Sequence, residues 1–336
     1  MTTENGSTDR VGVEVTRFIP VPTTVSDEAQ QFLTLGLELL AGGRPEEPAL
    51  DDLDGWRAHT AAVNEMVGAV LGSGTDSLAM TVETMAVDDV PVYVVTPDGL
   101  ADDPDQPIYL DIHGGGFTMG FGPTCVVMAK RMTSQVGMKM WSVDYRMPPD
   151  HPYPAALDDC LAVYRRLLED HPPERVVVGG ASAGGNLAGA LMLRARDEGL
   201  PMPAALVLLT PEADLTESGD TFATNLGIDS VLTSSLATSI ALYADGHDLT
   251  DPYLSPLFGT YSPSFPPTLL QSGTRDLFLS NTVRLHRKLR AAGVDAELHV
   301  FEAMPHGGFF GAPEDDELAR EVSQFVRRAL QTAKKV

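Results

Sequence analysis

Hydrophobic residues along the chain follow two different spacings, which predicts strands and helices in alternation. Seven short runs are continuous or alternating in apolar residues, as strands are, and they lie at 82–97, 107–112, 137–146, 175–180, 204–211, 267–273 and 296–302. Stretches with helical spacing separate most of them. Short apolar strands that alternate with helices form a mostly parallel sheet covered on both faces. The pattern therefore predicts an α/β fold.

Helical spacing also precedes the first strand. Ser26 is followed by Asp27 and Glu28, an N-cap with acidic residues in the first turn, and a helix is predicted from there to Leu40. A second helix is predicted over 53–71. These two helices are expected to stand apart from the sheet.

The stretch 215–250 interrupts the alternation because it has helical character and no strand. We expect residues 81–336 to form the α/β core and residues 1–80 to form an N-terminal helical cap segment, to which the insertion at 215–250 contributes. A final helix is predicted near the C-terminus, where one apolar stripe contains Leu318, Val322, Phe325 and Val326.

Charge and composition narrow the classes of protein. The 336 residues include 23 Lys and Arg against 47 Asp and Glu, a formal net charge of −24. Such a surface repels nucleic acid and anionic membranes, so neither is expected as a partner. No run approaches the roughly 18 apolar residues of a membrane-spanning helix. The first ten residues lack the basic and apolar regions of a secretory signal, so we expect a cytoplasmic protein.

The two cysteines, Cys125 and Cys160, both lie in predicted helices. We expect them to be small core residues without a disulfide.

Ser182 lies in the tightest run of small residues in the chain, between a strand-like run and a stretch of helical spacing. Residues 180–184 have the spacing G-x-S-x-G, which is typical of a nucleophile on a sharp strand-to-helix turn. Side chains at the two glycines would collide with neighbouring elements. Glycine-rich turns also bind phosphates, but no Lys follows here and the spacing G-x-G-x-x-G is absent. We interpret Ser182 as a candidate nucleophile.

Three consecutive glycines at 114–116 follow the predicted strand at 107–112. A tetrahedral oxyanion needs two or three N–H donors at roughly 3 Å, and adjacent glycines can turn their amides towards it unobstructed. We expect Gly115, Gly116 and Ala183 to supply these donors. His113 is expected to anchor the loop by hydrogen bonding rather than to act as a base.

A serine hydroxyl needs a base to take its proton, and four histidines follow Ser182 in the chain. His306 comes just past the carboxyl end of the last predicted strand, where open α/β sheets place their sites, and it is the predicted base. The other three lie in a polar loop, in a cationic helix and inside a strand: His247, His286 and His299.

The candidate acid is Asp276, which follows the predicted strand at 267–273 in the same way that His306 follows the next strand. Asp251 is the rival, but it precedes a proline-rich loop and is expected to shape a turn.

Six ordered blocks from about residue 85 to the C-terminus resemble the bacterial hormone-sensitive-lipase-like family of α/β-hydrolase esterases: HGGGFTMG, DYRMPPDHPYPAALDD, GGASAGGNLA, DPYLSPL, GTRDLFLS and MPHGGF. The resemblance implies an α/β-hydrolase fold with a helical cap. It also implies a catalytic triad of Ser182, Asp276 and His306, with Gly115, Gly116 and Ala183 as the oxyanion hole. The block TPEAD at 210–214 departs from the family, which usually has an aromatic residue there.

The expected activity is therefore hydrolysis of short- to medium-chain acyl esters through an acyl-enzyme, without a metal or an organic cofactor. Relatives that open lactones with the same residues provide one alternative, and a non-catalytic ligand-binding protein on this fold is a second. By resemblance, two chains are expected to pair through the edge strand at 296–302. Four aromatic residues are candidates for the lining of the substrate pocket: Phe117, Phe121, Phe32 and Phe222.

Overall fold

The computed structural model describes residues 11–41, 47–100 and 106–334. These residues form an eight-stranded sheet. Its spatial order is β1-β2-β4-β3-β5-β6-β7-β8. Strand β2 runs opposite to the other seven strands of this sheet, so the expected mostly parallel α/β sheet is confirmed. The strands are β1 (Met80–Val87), β2 (Val90–Pro97), β3 (Ile108–Ile112), β4 (Lys139–Val143), β5 (Val176–Ala181), β6 (Ala205–Leu209), β7 (Thr268–Gly273) and β8 (Ala296–Phe301).

The strand-like run at 82–97 folds into the hairpin of β1 and β2, with Val87 paired to Val90. The two turn residues, Asp88 and Asp89, have φ angles of 47° and 67°. Both central residues of a type I′ turn need positive φ, and Asp tolerates this conformation better than most residues.

Helices cover both faces of the sheet. One face packs against α3 (Pro123–Val136) and α9 (Pro313–Ala333), and the other against α4 (Ala155–Asp170), α5 (Ala183–Asp197) and α8 (Leu279–Ala291). The predicted stripe of α9 is buried at Leu318, Val322, Phe325 and Val326. Cys125 in α3 and Cys160 in α4 are buried free thiols, as expected.

The two N-terminal helices are present as α1 (Asp27–Ala41) and α2 (Leu53–Gly72). Ser26 caps α1 through a bond from Ala29 N to Ser26 Oγ of 3.2 Å. Buried residues of this region, Val25, Ala29 and Leu33, pack against Met304 and Phe309 near the C-terminal end of β8.

The insertion at 215–250 contains no strand, but it is less helical than its spacing predicts. Two short helices form there, α6 (Thr221–Thr224) and α7 (Ala237–Ala244), and turns make up the rest. The reason is local, because Asp229, Asp214 and Asp248 bond to nearby backbone amides and so stabilise turns instead of helix. The division into residues 1–80 and 81–336 stays a prediction, and residues 1–10 and 42–46 lie outside the described part.

No helix in the described ranges is long and apolar enough to cross a membrane. Strand β8 forms one edge of the sheet and exposes 43% of Val300. Pairing of two chains through this edge stays a prediction.

Candidate active site

Ser182 stands at the turn between β5 and α5 with φ of 58°, in the strained region expected for such a turn. A Cβ at Gly180 would lie 2.3 Å from Gly184 O, and one at Gly184 would lie 1.9 Å from Ile112 O. Both positions therefore require glycine. The turn is fixed to β6 by a hydrogen bond of 2.9 Å from Ser182 N to Leu209 O.

The structure brings together the three side chains that the motifs indicate. His306 Nε2 lies 2.9 Å from Ser182 Oγ, and His306 Nδ1 lies 3.0 Å from Asp276 Oδ1. Asp276 follows β7 and His306 follows β8, so parallel neighbouring strands deliver both loops to the same edge of the sheet. Asp276 is fully buried and His306 is 5% exposed.

Asp276 is held by further contacts. Its Oδ2 accepts a hydrogen bond of 2.6 Å from Ser272 Oγ, and its Oδ1 accepts one of 2.9 Å from Phe278 N. Asn225 Nδ2 donates to the backbone oxygens of Thr274 and Asp276. The carboxylate is thus fixed in the orientation that accepts from His306.

The glycine loop at 114–116 lies against the serine turn. A Cβ at Gly114 would lie 2.7 Å from Ala181 O, and one at Gly115 would lie 2.2 Å from Met119 O. Gly116 has φ of 56°. The loop can therefore approach the serine turn only because residue 114 has no side chain, and glycine at 115 lets the loop fold back on Met119.

His113 supports this loop. Its Nδ1 donates to Gly114 O over 2.8 Å, and its ring stacks on Tyr145 with centroids 4.2 Å apart. Burial lowers the pKa of His113 to about 4, and the bond to Gly114 O opposes this only in part. The ring is therefore neutral at neutral pH and anchors the loop, as the sequence led us to expect.

The other candidates do not reach the serine. Asp251 Oδ1 accepts from Tyr253 N over 2.8 Å, so it shapes a turn. His247 bonds to Ala244 O, His286 to Ala296 O, and His299 lies beside Glu297 and Glu321.

The four aromatic candidates occupy different surroundings. Phe117 is fully buried with φ of 61° and stacks on Tyr243 with centroids 4.0 Å apart. Phe222 is partly exposed and packs on Phe278, whose ring in turn lies T-shaped to that of His306 with centroids 4.8 Å apart. Phe32 packs against Phe309 and Phe310, beyond His306. Phe121 is partly exposed.

Sequence reasoning missed several polar residues that hold these loops. Asn64 on α2 accepts from Gly120 N over 2.7 Å and donates to Phe121 O over 3.2 Å. Asp229, Asn225 and Ser272 bind the loop that carries Asp276. No local motif marks Asn64, Asn225 or Asp229, because the site loops to which their side chains bond lie at least 48 positions away.

Within the described residues one group of side chains has a composition suited to a metal ion. The potential ligand atoms of His113, Cys125 and Asp144 lie within 4.8 Å of one another. Asp144 already accepts from Gly122 N and Tyr93 Oη, and His113 already donates to Gly114 O. These hydrogen bonds explain why the polar side chains of the cluster lie together: they support the glycine loop and the residues that follow it.

Comparison with known proteins gives consistent matches. A model of the alpha/beta hydrolase fold family matches residues 109–310. An esterase of Acinetobacter venetianus is 33% identical over 221 residues, which cover 64% of this chain and 73% of that protein. The crystal structure of esterase E25 matches with a TM-score of 0.83 and 35% identity, over 95% of this chain and 98% of that one. The crystal structure of an esterase from the bacterial hormone-sensitive lipase family matches with a TM-score of 0.78 and 31% identity, over 91% and 99% of the two chains.

Proposed function

Since this chain belongs to the bacterial hormone-sensitive-lipase-like family of alpha/beta hydrolases, we propose that it is a serine carboxylesterase that hydrolyses short- to medium-chain acyl esters through an acyl-enzyme. One observation carries the proposal: the hydrogen-bonded chain from Asp276 through His306 to Ser182. Its two contacts, of 3.0 and 2.9 Å, have the geometry that general-base activation of a serine requires.

In the first half of the reaction, Ser182 Oγ attacks the ester carbonyl carbon while His306 Nε2 takes its proton. Asp276 accepts from His306 Nδ1–H, which fixes the ring and stabilises its cation. When the tetrahedral intermediate collapses, the bond to the alkoxide breaks and His306 gives that oxygen the proton. The products of this half are a free alcohol and an acyl group on Ser182.

In the second half, His306 takes a proton from water, whose oxygen attacks the acyl carbon. The second intermediate collapses, the proton returns to Ser182 Oγ, and a carboxylic acid leaves. Ester and water have become acid and alcohol, and no other reactant is needed.

The oxyanion of both intermediates is proposed to accept hydrogen bonds from the amides of Gly115, Gly116 and Ala183. Ala183 begins α5, so its amide lies at a helix N-terminus, where the helix dipole favours negative charge. Loss of one such donor typically costs about 100-fold in turnover.

For the substrate pocket, we extend the proposal to the four aromatic residues. Phe121 and Phe222 are partly exposed and would contact substrate, while Phe117 would shape the pocket from behind the glycine loop by its stacking on Tyr243. Phe32 would act through the loop of His306, against which it packs.

The test is hydrolysis of p-nitrophenyl esters from acetate to laurate by the wild type and by Ser182→Ala, with a simple ε-lactone assayed in parallel by a pH indicator. We expect turnover that is highest on the shorter chains and that falls at least about 1,000-fold in Ser182→Ala, because the nucleophile is lost. Ser239→Ala, which removes another buried serine without contact to His306, is the matched control and should keep full turnover.

The same assay separates the alternatives. A lactone hydrolysed faster than every ester would replace the esterase proposal by lactone hydrolysis on the same residues. Equal rates for the wild type and Ser182→Ala on all substrates would overturn the catalytic proposal and leave ligand binding.

A further inference from the structure

We propose that Asp229 is a positioning residue for the reaction, because its single buried carboxylate holds the Asp276 loop and the His306 loop in register. The inference rests on the proposed function and extends it to a residue outside the triad. Asp229 belongs to the insertion and lies in the latch segment, which we define as residues 225–232.

The carboxylate accepts from four backbone amides in three parts of the chain. Oδ2 accepts from Leu277 N over 2.8 Å, one residue after Asp276. Oδ1 accepts from His306 N over 3.3 Å, and also from Val231 N and Leu232 N over 2.9 and 3.1 Å. One side chain thus bonds to the backbone beside the acid and to the backbone of the base itself.

Asn225 adds to the same latch segment. Its Nδ2 donates to Asp276 O over 2.9 Å and to Thr274 O over 3.2 Å. Asn225 O in turn accepts from Asp229 N over 3.1 Å. The acid loop is therefore bound to the latch segment at three points. Within the described part of the chain, Asp229 alone joins that segment to the histidine loop through its side chain.

Helix α1 contacts the latch segment at Gly36. A Cβ at Gly36 would lie 2.2 Å from Ser230 Cβ, so the two backbones approach each other closely. Asp229 itself is fully buried. Burial raises the pKa of Asp229 to about 6, with Asp276 acting in the same direction and His306 against it. The carboxylate is therefore ionised at the pH of a serine esterase assay and accepts all four bonds.

The need for such a group follows from the geometry of proton transfer. His306 must lie within hydrogen-bond reach of both Ser182 and Asp276, yet the base and the acid come from separate loops after β7 and β8. A displacement of about 1 Å in such an arrangement can cost about 100-fold in rate. A shared acceptor removes the independent movement of the two loops.

The test variant is Asp229→Asn, which keeps the shape but turns one oxygen into a donor that faces backbone N–H groups. We expect kcat on p-nitrophenyl butyrate to fall about 10- to 100-fold, while KM stays within about threefold because the variant leaves ground-state binding intact. The rate of Ser182 labelling by a p-nitrophenyl phosphonate should fall by a similar factor, since it too needs an aligned base.

Asp214→Asn is the matched control. Asp214 is a fully buried aspartate that directly precedes the insertion, and it bonds to Thr216, Ser218 and Arg284 instead of the triad loops. We therefore expect Asp214→Asn to lower the Tm of the protein without changing kcat or the labelling rate. If the folded Asp229→Asn keeps kcat within threefold of the wild type, or if Asp214→Asn loses as much kcat, the inference is wrong.

If Asp229→Asn fails to fold, Asp229→Glu is tested in its place by the same criteria. It keeps the charge, but its longer side chain cannot bridge both loops in the same geometry, and the same loss of kcat is expected. Wild-type turnover that depends on Ser182 is measured first. Its absence would overturn the proposed function and this inference together, whereas its presence beside an unaffected Asp229 variant would overturn only the inference.

Discussion

Glu212 carries a buried carboxyl group, and its backbone is bonded to the candidate nucleophile, since Glu212 N donates to Ser182 O over 3.2 Å. The residue is 1% exposed, and neither carboxyl oxygen has a hydrogen-bond partner among the described residues. Burial raises the pKa of Glu212 well above its usual value, and Glu217 acts in the same direction. A charged, unpaired carboxylate in this position would be costly, so the folded state favours the neutral acid.

This placement predicts how stability depends on pH. Because the pKa is raised on folding, the stabilising contribution is complete below the unfolded pKa of about 4.3 and is lost as the pH rises through the folded value. Glu212→Gln removes that loss. We expect the free energy of unfolding of Glu212→Gln, relative to the wild type, to increase by on the order of 1 kcal/mol or more between pH 5 and pH 8.

Chemical denaturation of both proteins at several pH values measures this difference. The exposed Glu65→Gln on α2 is the control and should show no such trend. Parallel pH curves for the wild type and Glu212→Gln would contradict the assigned burial of a neutral acid.

At the residue scale, what the sequence reveals depends on how local the signal is. Ser182 is marked by a glycine two positions away on each side, and Asp276 and His306 each follow a strand, so motifs and strand order point to all three. Asp229 carries no such mark. Its bonds to Leu277 and His306 span 48 and 77 positions, and only the folded chain brings them together.

At the scale of elements, α1 and α9 are joined at their N-termini. Glu314 in the first turn of α9 accepts from Ser26 N and Ser26 Oγ, both over 2.7 Å, and Ser26 is also the N-cap of α1. Burial of Glu314 would raise its pKa, but the bonds from Ser26 outweigh this and hold the pKa below its usual value. One carboxylate thus joins the start of α1 to the start of α9.

We expect Ser26→Ala and Glu314→Ala each to lower the free energy of unfolding by about 1 kcal/mol, since each loses a cap contact. The double variant should lose less than the sum by about 0.5 kcal/mol or more, because the two residues share their bonds. A double-mutant cycle by chemical denaturation measures this coupling.

The matched cycle pairs Ser26→Ala with Asp316→Ala, an exposed acid in the same first turn of α9, and should be additive. Additive losses for Ser26 and Glu314 would show that their contact does not anchor α1.

Most elements follow from periodicity, and the exceptions have identifiable causes. The spacing predicts α1 and α9 because each buries one apolar stripe, whereas the buried residues of α2 are mostly polar. The insertion has helical spacing as well, yet mainly turns form there. Asp214, Asp229 and Asp248 bond to nearby amides in it, and such contacts compete with helix formation in a way that apolar spacing does not register.

At the scale of the whole molecule, the dominant electrostatic feature is the formal net charge of −24. Like charges repel in the compact state, and salt screens this repulsion within a Debye length of about 10 Å at 0.1 M. Exposed ion pairs such as Arg57–Asp54 lose strength in salt, but such pairs contribute little at the surface. Repulsion should therefore dominate the response to salt.

We expect the Tm at pH 8 to rise by a few degrees as NaCl increases from 10 mM to 0.5 M, with most of the rise at the low end, where screening changes fastest. The rise should shrink towards pH 5, because the sequence pI is about 4.5 and the net charge falls as that value is approached. Thermal unfolding followed by circular dichroism at both pH values measures the two increments. General strengthening of apolar burial by salt would raise the Tm equally at pH 5 and pH 8. Equal increments would therefore show that the response comes from apolar burial, whereas a larger increment at pH 8 would trace it to the acidic surface.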